Sequence, residues 1–596
     1  MHDRPVRIAN CSGFYGDRIA AAREMVEGGP IDVLTGDYLA ELTMLILWKA
    51  RQKDPDAGYA TTFLTQMEQV LGTCLDRGIK IVANAGGLNP SGLANRLREL
   101  ADRLRLPAKI SYITGDDLTD RLGGLLRSGH LLAHLDNGKP LAQAGVEPVT
   151  ANAYLGGWGI AEALGAGADV VICPRVTDAS LVVGPAAWWH GWSRTDYHPL
   201  AGAVAAGHVI ECGPQATGGN YSWLDEITDL RRPGFPIAEV AADGSSVITK
   251  HPGTGGLVSP GTVTAQLLYE IAEPAYRNPD VVAHFDTLCL DTDGPDRVRI
   301  VGAQGSAPPA EAKVAINYRG GYRNTMTLVL TGLDIAEKAA RAERELFDIL
   351  GGREAFAEVD TRLIRYDRPD APGNEQATAH LRITVKDPDP RKVGRRFSNA
   401  TMELALGGYA GFHTTTPPTS ESAYGVYWPT LVPADLIEQV VVLPDGTRRA
   451  VPPAPRSPDA PPGSPRVATP ELLPPPVYSG SVTRTPLGRV CAARSGDKGG
   501  NANIGLWTRD AAAFVWLREH LTIERLRALL PEARGLPIQR HELANLYALN
   551  FVIVGLLGDG VASSTRPDPQ AKGLGEYLRS RHVDIPVELL STTEGR

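Results

Sequence analysis

Short apolar runs alternate with longer helical stretches over the first 280 residues, the rhythm of strands and helices taken in turn. Strands are expected at 6–10, 31–34, 80–82, 109–113 and 168–172, with helices after 17, through Trp48, at 61–77 and at 91–104. Asn89, Pro90 and Ser91 stand where the helix at 91–104 needs a cap. Strands this apolar, each separated by a helix, predict a parallel sheet covered on both faces. Glycine and polar residues collect where strands end and helices begin, and in open parallel sheets that edge holds the ligand. The segment 208–212 reads as one more strand, leading into a polar loop.

From about 281 the rhythm changes. A hairpin is expected over 281–301, further strands near 313–318, 324–330, 357–365 and 377–386, and helices near 334–349 and 390–406. That is an α+β arrangement. Eleven prolines then fall in 452–476, which excludes helix and sheet and reads as an extended spacer. The expected division is 1–280 α/β, 281–450 α+β, 451–478 linker and 479–596 a small C-terminal α+β domain. The fold class is thus multidomain α/β and α+β.

Composition narrows the function. The 596 residues are 43 % apolar and carry a formal charge of −8, so a strongly basic nucleic-acid binder is excluded. The six cysteines are scattered too widely for a disulfide scaffold or a metal knuckle, and no run reaches 18 apolar residues. With no apolar leader in MHDRPVRIANCSG, a cytoplasmic protein without membrane contact is expected, and a homo-oligomer is allowed.

The chemistry is concentrated in loops. No phosphate-binding signature occurs, although Asn84, Gly86 and Gly87 before the helix at 91 offer amides to an anion. Arg175, Thr177, Asp178 and Ser180 place a cation, two hydroxyls and a carboxylate within six residues after a buried strand. Arg175 suits a carboxylate or phosphate, and Asp178 suits a base or a helix cap. His413 lies in a second dense polar loop, and histidine is the residue type suited to carry a proton near pH 7. Arg494, Ser495, Asp497, Lys498, Gly499, Gly500, Asn501 and Asn503 form the densest cluster, read as a glycine-rich loop that grips an anion. Asp178, Asp497 and His413 are therefore the candidate proton carriers, and the others the substrate-binding set. Cys212 is expected to be an inert buried thiol. With no HExxH and no close His/Cys cluster, no metal is expected, and no cofactor is assigned.

Taken together, CSGFYGD (11–17), TGDYLAE (35–41), NAGGLNP (84–90), CPRVTDASL (173–181), ECGPQATGGNY (211–221) and ARSGDKGGNANIG (493–505) resemble the acyclic terpene utilisation AtuA family. The resemblance implies a large AtuA-like region followed by a ferredoxin-like C-terminal domain. It also implies a place in the catabolism of acyclic terpenes such as citronellol and geraniol, beside acyl-CoA carboxylase and hydratase steps. It supplies no catalytic residues. Two readings follow. One is an enzyme on a branched acyl-CoA or related carboxylate, of hydratase or carbon–carbon lyase type. The other is a non-catalytic acyl-CoA-binding or assembly protein of the same pathway.

Overall fold

The computed structural model describes residues 4–455, 478 and 480–591. Most of the proline-rich segment, 456–477, lies outside these residues. Contacts divide the described chain into two compact units, one drawn from Met1–Asn317, Tyr427–Val561 and Asp568–Arg596, the other from Tyr318–Val426 and Ala562–Pro567.

The first unit is organised around a sheet of eleven strands among the described residues. Its centre is parallel, in the order Val6–Asn10, Val33–Gly36, Lys80–Ala83, Val170–Ile172, Ile110–Thr114. Antiparallel strands extend both edges, beginning with Pro236–Val240 beside Val6–Asn10 and Val440–Val442 beside Ile110–Thr114. The sheet continues past residue 280, because Arg297–Val301 pairs with Ser246–Lys250.

Side-chain alternation explains why both faces are covered. Val6, Ile8, Val82 and Val171 enter one core with helices Trp158–Gly165, Ser180–His190 and Tyr197–Ile210. Ala9, Ile81, Val170 and Ile172 enter the other with helices Ala21–Glu27, Thr61–Arg77 and Pro90–Leu104. The apolar strand side chains thus meet apolar partners on both faces, as a buried parallel sheet demands. Asn89 caps the helix Pro90–Leu104 by accepting from Gly92 N at 2.9 Å, and Pro90 occupies the first turn, where no amide partner is needed.

Two expectations are corrected. Residues 208–210 are not a strand but the end of the helix Tyr197–Ile210, and Cys212 follows that helix. The helix is buried on every side from Leu200 to Ile210, so it shows no polar stripe to betray its period. Residues 494–505 are not a loop but most of a hairpin, Cys491–Lys498 with Asn501–Thr508, in which Arg494 faces Gly505 and Lys498 faces Asn501. The turn is Gly499–Gly500, with Gly499 at φ +62°. This hairpin continues into Ala548–Ile553 and Ile538–Leu543 as a four-stranded antiparallel sheet, the core of the ferredoxin-like part.

The second unit is an antiparallel sheet in which Thr378–Asp387 pairs on one side with Glu358–Arg365 and on the other with residues 322–331. Helices Ile335–Leu350 and Arg395–Gly407 bury Phe347, Phe397 and Leu404 with Leu328, Leu381 and Ile383. Among the described residues, no helix is long and apolar enough to cross a membrane.

Candidate functional site

The C-terminal ends of three parallel strands surround one cavity of about 770 Å³. After Val6–Asn10, the amide of Asn10 donates to Ile210 O at 2.8 Å and Glu211 O at 3.0 Å. Gly13 then lies so near Cys212 that a Cβ there would stand 2.8 Å from its carbonyl carbon. A buried asparagine and a glycine thereby fix the backbone that carries Glu211 into the cavity wall.

After Val33–Gly36 comes Asp37, whose Oδ1 accepts from Asn84 Nδ2 at 2.5 Å and from Leu39 N at 3.1 Å. Asn84 in turn accepts from Tyr38 N at 2.7 Å, and Gly86 N donates to Cys173 O at 3.0 Å. A Cβ at Gly86 would meet that same carbonyl oxygen at 2.6 Å. Asn84 and Gly86 thus tie neighbouring strand-end loops together, while Gly87 takes a φ of +50° in the tight turn.

After Val170–Ile172, Arg175 is buried, donates to Leu39 O at 2.8 Å and pairs with Asp178 at 3.0 Å. Its guanidinium lies 4.3 Å from the centre of the Tyr154 ring, which also holds Lys313 Nζ at 4.9 Å. The hydroxyls of Thr177 and Ser180 bond to each other, and the backbone N–H of Arg175 donates to Asp116 at 3.3 Å. Burial raises the Asp116 carboxyl to about 7, opposed by the amide of Asn152.

The hairpin of the C-terminal sheet supplies another side. Asp497 and Lys498 line the cavity, and Lys498 donates to Glu270 O at 2.9 Å. Asn503 holds Glu270 from behind, accepting its backbone N–H at 2.8 Å. Two cations lie near Tyr269, with the Arg494 guanidinium 4.3 Å and Lys572 Nζ 4.6 Å from its ring centre. Lys572 also lies 3.6 Å from Asp497 and bonds the Tyr269 hydroxyl. Glycine is needed here for contact: a Cβ at Gly496 would stand 2.4 Å from the Tyr269 ring.

Of the residues singled out by sequence, Arg175, Asp178, Asp497 and Lys498 therefore face one cavity. Arg494 lines the adjoining groove with Lys572 and bonds Gln215. Ser495 donates to Ala571 O at 2.7 Å, and Asn501 donates to Asp136 at 2.7 Å. Asn503 joins Asn550, and Gly500 packs against Gly558 O. His413 belongs to the second unit, where it is exposed with Nδ1 3.0 Å from Gly411 O. Residues that sequence reasoning passed over include Glu211, Tyr154, Tyr269, Glu270, Lys313 and Lys572, all on the cavity wall. Glu270 has a positive φ of 57°, rare for a side-chain-bearing residue, but nothing in the sequence announces it.

Electrostatics separates the carboxyl groups. Burial first, then the charge of Asp178, pushes Asp37 well above the usual range, against the pull of Arg175 and Asn84. Burial, followed by Asp178 and Glu270, does the same to Glu211, while Arg175 and Lys498 oppose it. The nearby His208 is lowered to about 4, mainly by burial. Burial pushes the thiols of Cys173 and Cys212 up, although Cys212 is half-buried and lines the cavity rather than being fully buried as expected. Among the described residues, no group of three or more His, Cys, Asp or Glu side chains is placed to hold a metal ion.

No match was found among curated proteins or among solved structures. Family models do match. One described as acyclic terpene utilisation family protein AtuA covers residues 6–443, and one described as the AtuA ferredoxin-like domain covers 485–584. These two stretches span the parallel-sheet cavity and the hairpin that closes its side, and the chain belongs to the acyclic terpene utilisation AtuA family.

Proposed function

We propose that the protein is an enzyme acting on a branched acyl-CoA or related carboxylate, of hydratase or carbon–carbon lyase type, within acyclic terpene catabolism. The observation that carries this reading is the joint placement of the Arg175–Asp178 ion pair with Lys313, Lys498 and Lys572 around one cavity. Its volume, about 770 Å³, falls within the range of small-molecule sites. The cations suit the carboxylate or carbonyl oxygen of the substrate and would stabilise an enolate as charge develops there. Asp178, oriented by Arg175, serves as the base, and Asp497 beside Lys572 shapes the opposite charge field. Water addition and carbon–carbon cleavage both need one group that accepts a proton and one that delivers it, so this arrangement supports either.

The test is turnover of branched acyl-CoAs and their free acids, with binding followed by calorimetry. Asp178→Asn is expected to lower turnover by about 10²–10⁴-fold with little change in binding. Lys498→Met is expected to weaken binding by about ten- to a hundredfold, roughly 1.4–3 kcal/mol. Tight binding without turnover by the wild-type protein would replace the enzymatic reading with that of a binding protein. No binding at all would remove both.

A further inference from the structure

We infer that Glu211 is the proton donor of the cavity and His208 its positioning residue, an assignment that rests on the enzymatic reading above. Glu211 leaves the helix Tyr197–Ile210 on the cavity side, and its backbone is held by Asn10 and by the close approach of Gly13. One helical turn earlier, His208 brings Nδ1 to 3.4 Å from Glu211 Oε1 without a formed hydrogen bond, both of its buried ring nitrogens being unpartnered among the described residues. The imidazole cannot swing away, because Tyr276 and Phe285 pack against it with ring centres at 4.9 and 5.5 Å.

The surroundings decide which form the carboxyl takes. Oε2 of Glu211 is buried and has no hydrogen-bond partner among the described residues, so no donor compensates an anion there. Asp178 and Glu270 face it with like charge, whereas Arg175 and Lys498 attract it. The imidazole behind it is held neutral by burial, with Glu270 and Lys498 pulling in opposite senses. Asp37 is a different case. Its Oδ1 is engaged by Asn84 and Leu39 N, which makes it part of the loop framework.

Asp178 and Glu211 then form a complementary pair, one carboxylate ion-paired to arginine and one neutral acid. Two carboxyls made unlike by their environments are how one site runs acid and base chemistry together. In loss of water from a 3-hydroxyacyl group, Asp178 takes the proton from the carbon next to the carbonyl. The electron pair of that C–H bond becomes the new C=C bond, the C–O bond breaks, and the departing oxygen takes the proton of Glu211 to leave as water. Hydration is the reverse, and a proton returned from Asp178 to Glu211 restores the starting state.

Infrared difference spectra between the unliganded wild type and Glu211→Gln at pH 7 test the proton directly. The C=O stretch of a neutral carboxyl is expected to vanish in Glu211→Gln and to persist in Asp37→Asn. With acyl substrate, Glu211→Gln should keep binding and lose about 10²–10⁴-fold in kcat, Glu211→Asp should recover part of it, and His208→Gln should shift the pH profile of kcat. No lost carboxyl band, or undiminished kcat in Glu211→Gln, overturns the assignment and leaves the enzymatic reading standing. Absence of wild-type turnover overturns both. A urea midpoint for each variant separates loss of chemistry from loss of fold.

Discussion

His208 and Glu211 pull stability in opposite directions as pH changes. The histidine has a folded value of about 4, below its ordinary value of about 6.5. Between these values the unfolded chain binds a proton that the folded chain refuses, so this side chain destabilises the fold as pH drops through the window. Glu211 is raised, so its folded form keeps a proton that the unfolded chain releases above about pH 4.5. Its share of stability is present at low pH and is lost as pH rises. His208→Gln is therefore expected to flatten the loss of stability between about pH 6.5 and 4, read from urea midpoints across that range. An unchanged slope would mean that this imidazole is not held neutral.

Among elements, the helix Tyr197–Ile210 positions the acid and the loop after Val170–Ile172 positions the base, and Gly207 sets how near they come. A Cβ at Gly207 would lie 2.8 Å from both the Cα and the carbonyl oxygen of Ala179, next to Asp178. Backbone cannot yield as a flexible side chain does. Gly207→Val is expected to cost about 1–3 kcal/mol by overpacking and to displace Asp178 from its partner. Denaturation curves and turnover should fall together in this variant, whereas Asp178→Asn should lower turnover by far more than its loss of stability accounts for. The same helix shows why a sequence reading goes astray locally. Val209 and Ile210 look like a strand end when taken alone, and burial on all sides erases the amphipathic stripe that would reveal the turn.

At the scale of the molecule, the C-terminal sheet completes the first unit through both apolar and polar contacts with the α/β part, Trp507, Leu543 and Leu546 sharing a core with Tyr221, Trp223 and Leu268. Asn550 donates to Ile271 O and Ala272 O at 3.2 and 2.7 Å, Ser222 donates to Ala493 O at 2.7 Å, and Arg509 pairs with Glu226 at 2.6 Å. Asn550→Ala removes both amide donors and orphans the buried Ile271 carbonyl and the half-buried Ala272 carbonyl, an expected cost of about 1–3 kcal/mol read from a urea midpoint. A chain ending at residue 450 lacks Asp497, Lys498 and Lys572 and is expected to lose ligand binding. Adding residues 479–596 as a separate polypeptide should restore it if these contacts suffice. Ligand binding by 1–450 alone, at full affinity, would show that the hairpin is dispensable to the site.

Much was legible from residue order because it depends on near neighbours. Apolar runs at 6–10 and 80–82, the Asn89–Pro90 helix start and the polar strand ends follow from local preference and burial period, and they predict the parallel sheet and its ligand edge. Arg175 and Asp178 were also visible as members of one polar cluster after a strand, but their ion pair was not, since residues three apart in a loop meet only where the backbone turns. What residue order could not supply was convergence. Glu211, Glu270, Lys313 and Lys572 meet at one cavity only because the sheet, the helix Tyr197–Ile210 and the C-terminal hairpin pack together, and no local rule links positions so far apart. The protonation of Glu211 belongs to this second class: a carboxyl keeps its proton because of what surrounds it in space, and only the tertiary structure decides that.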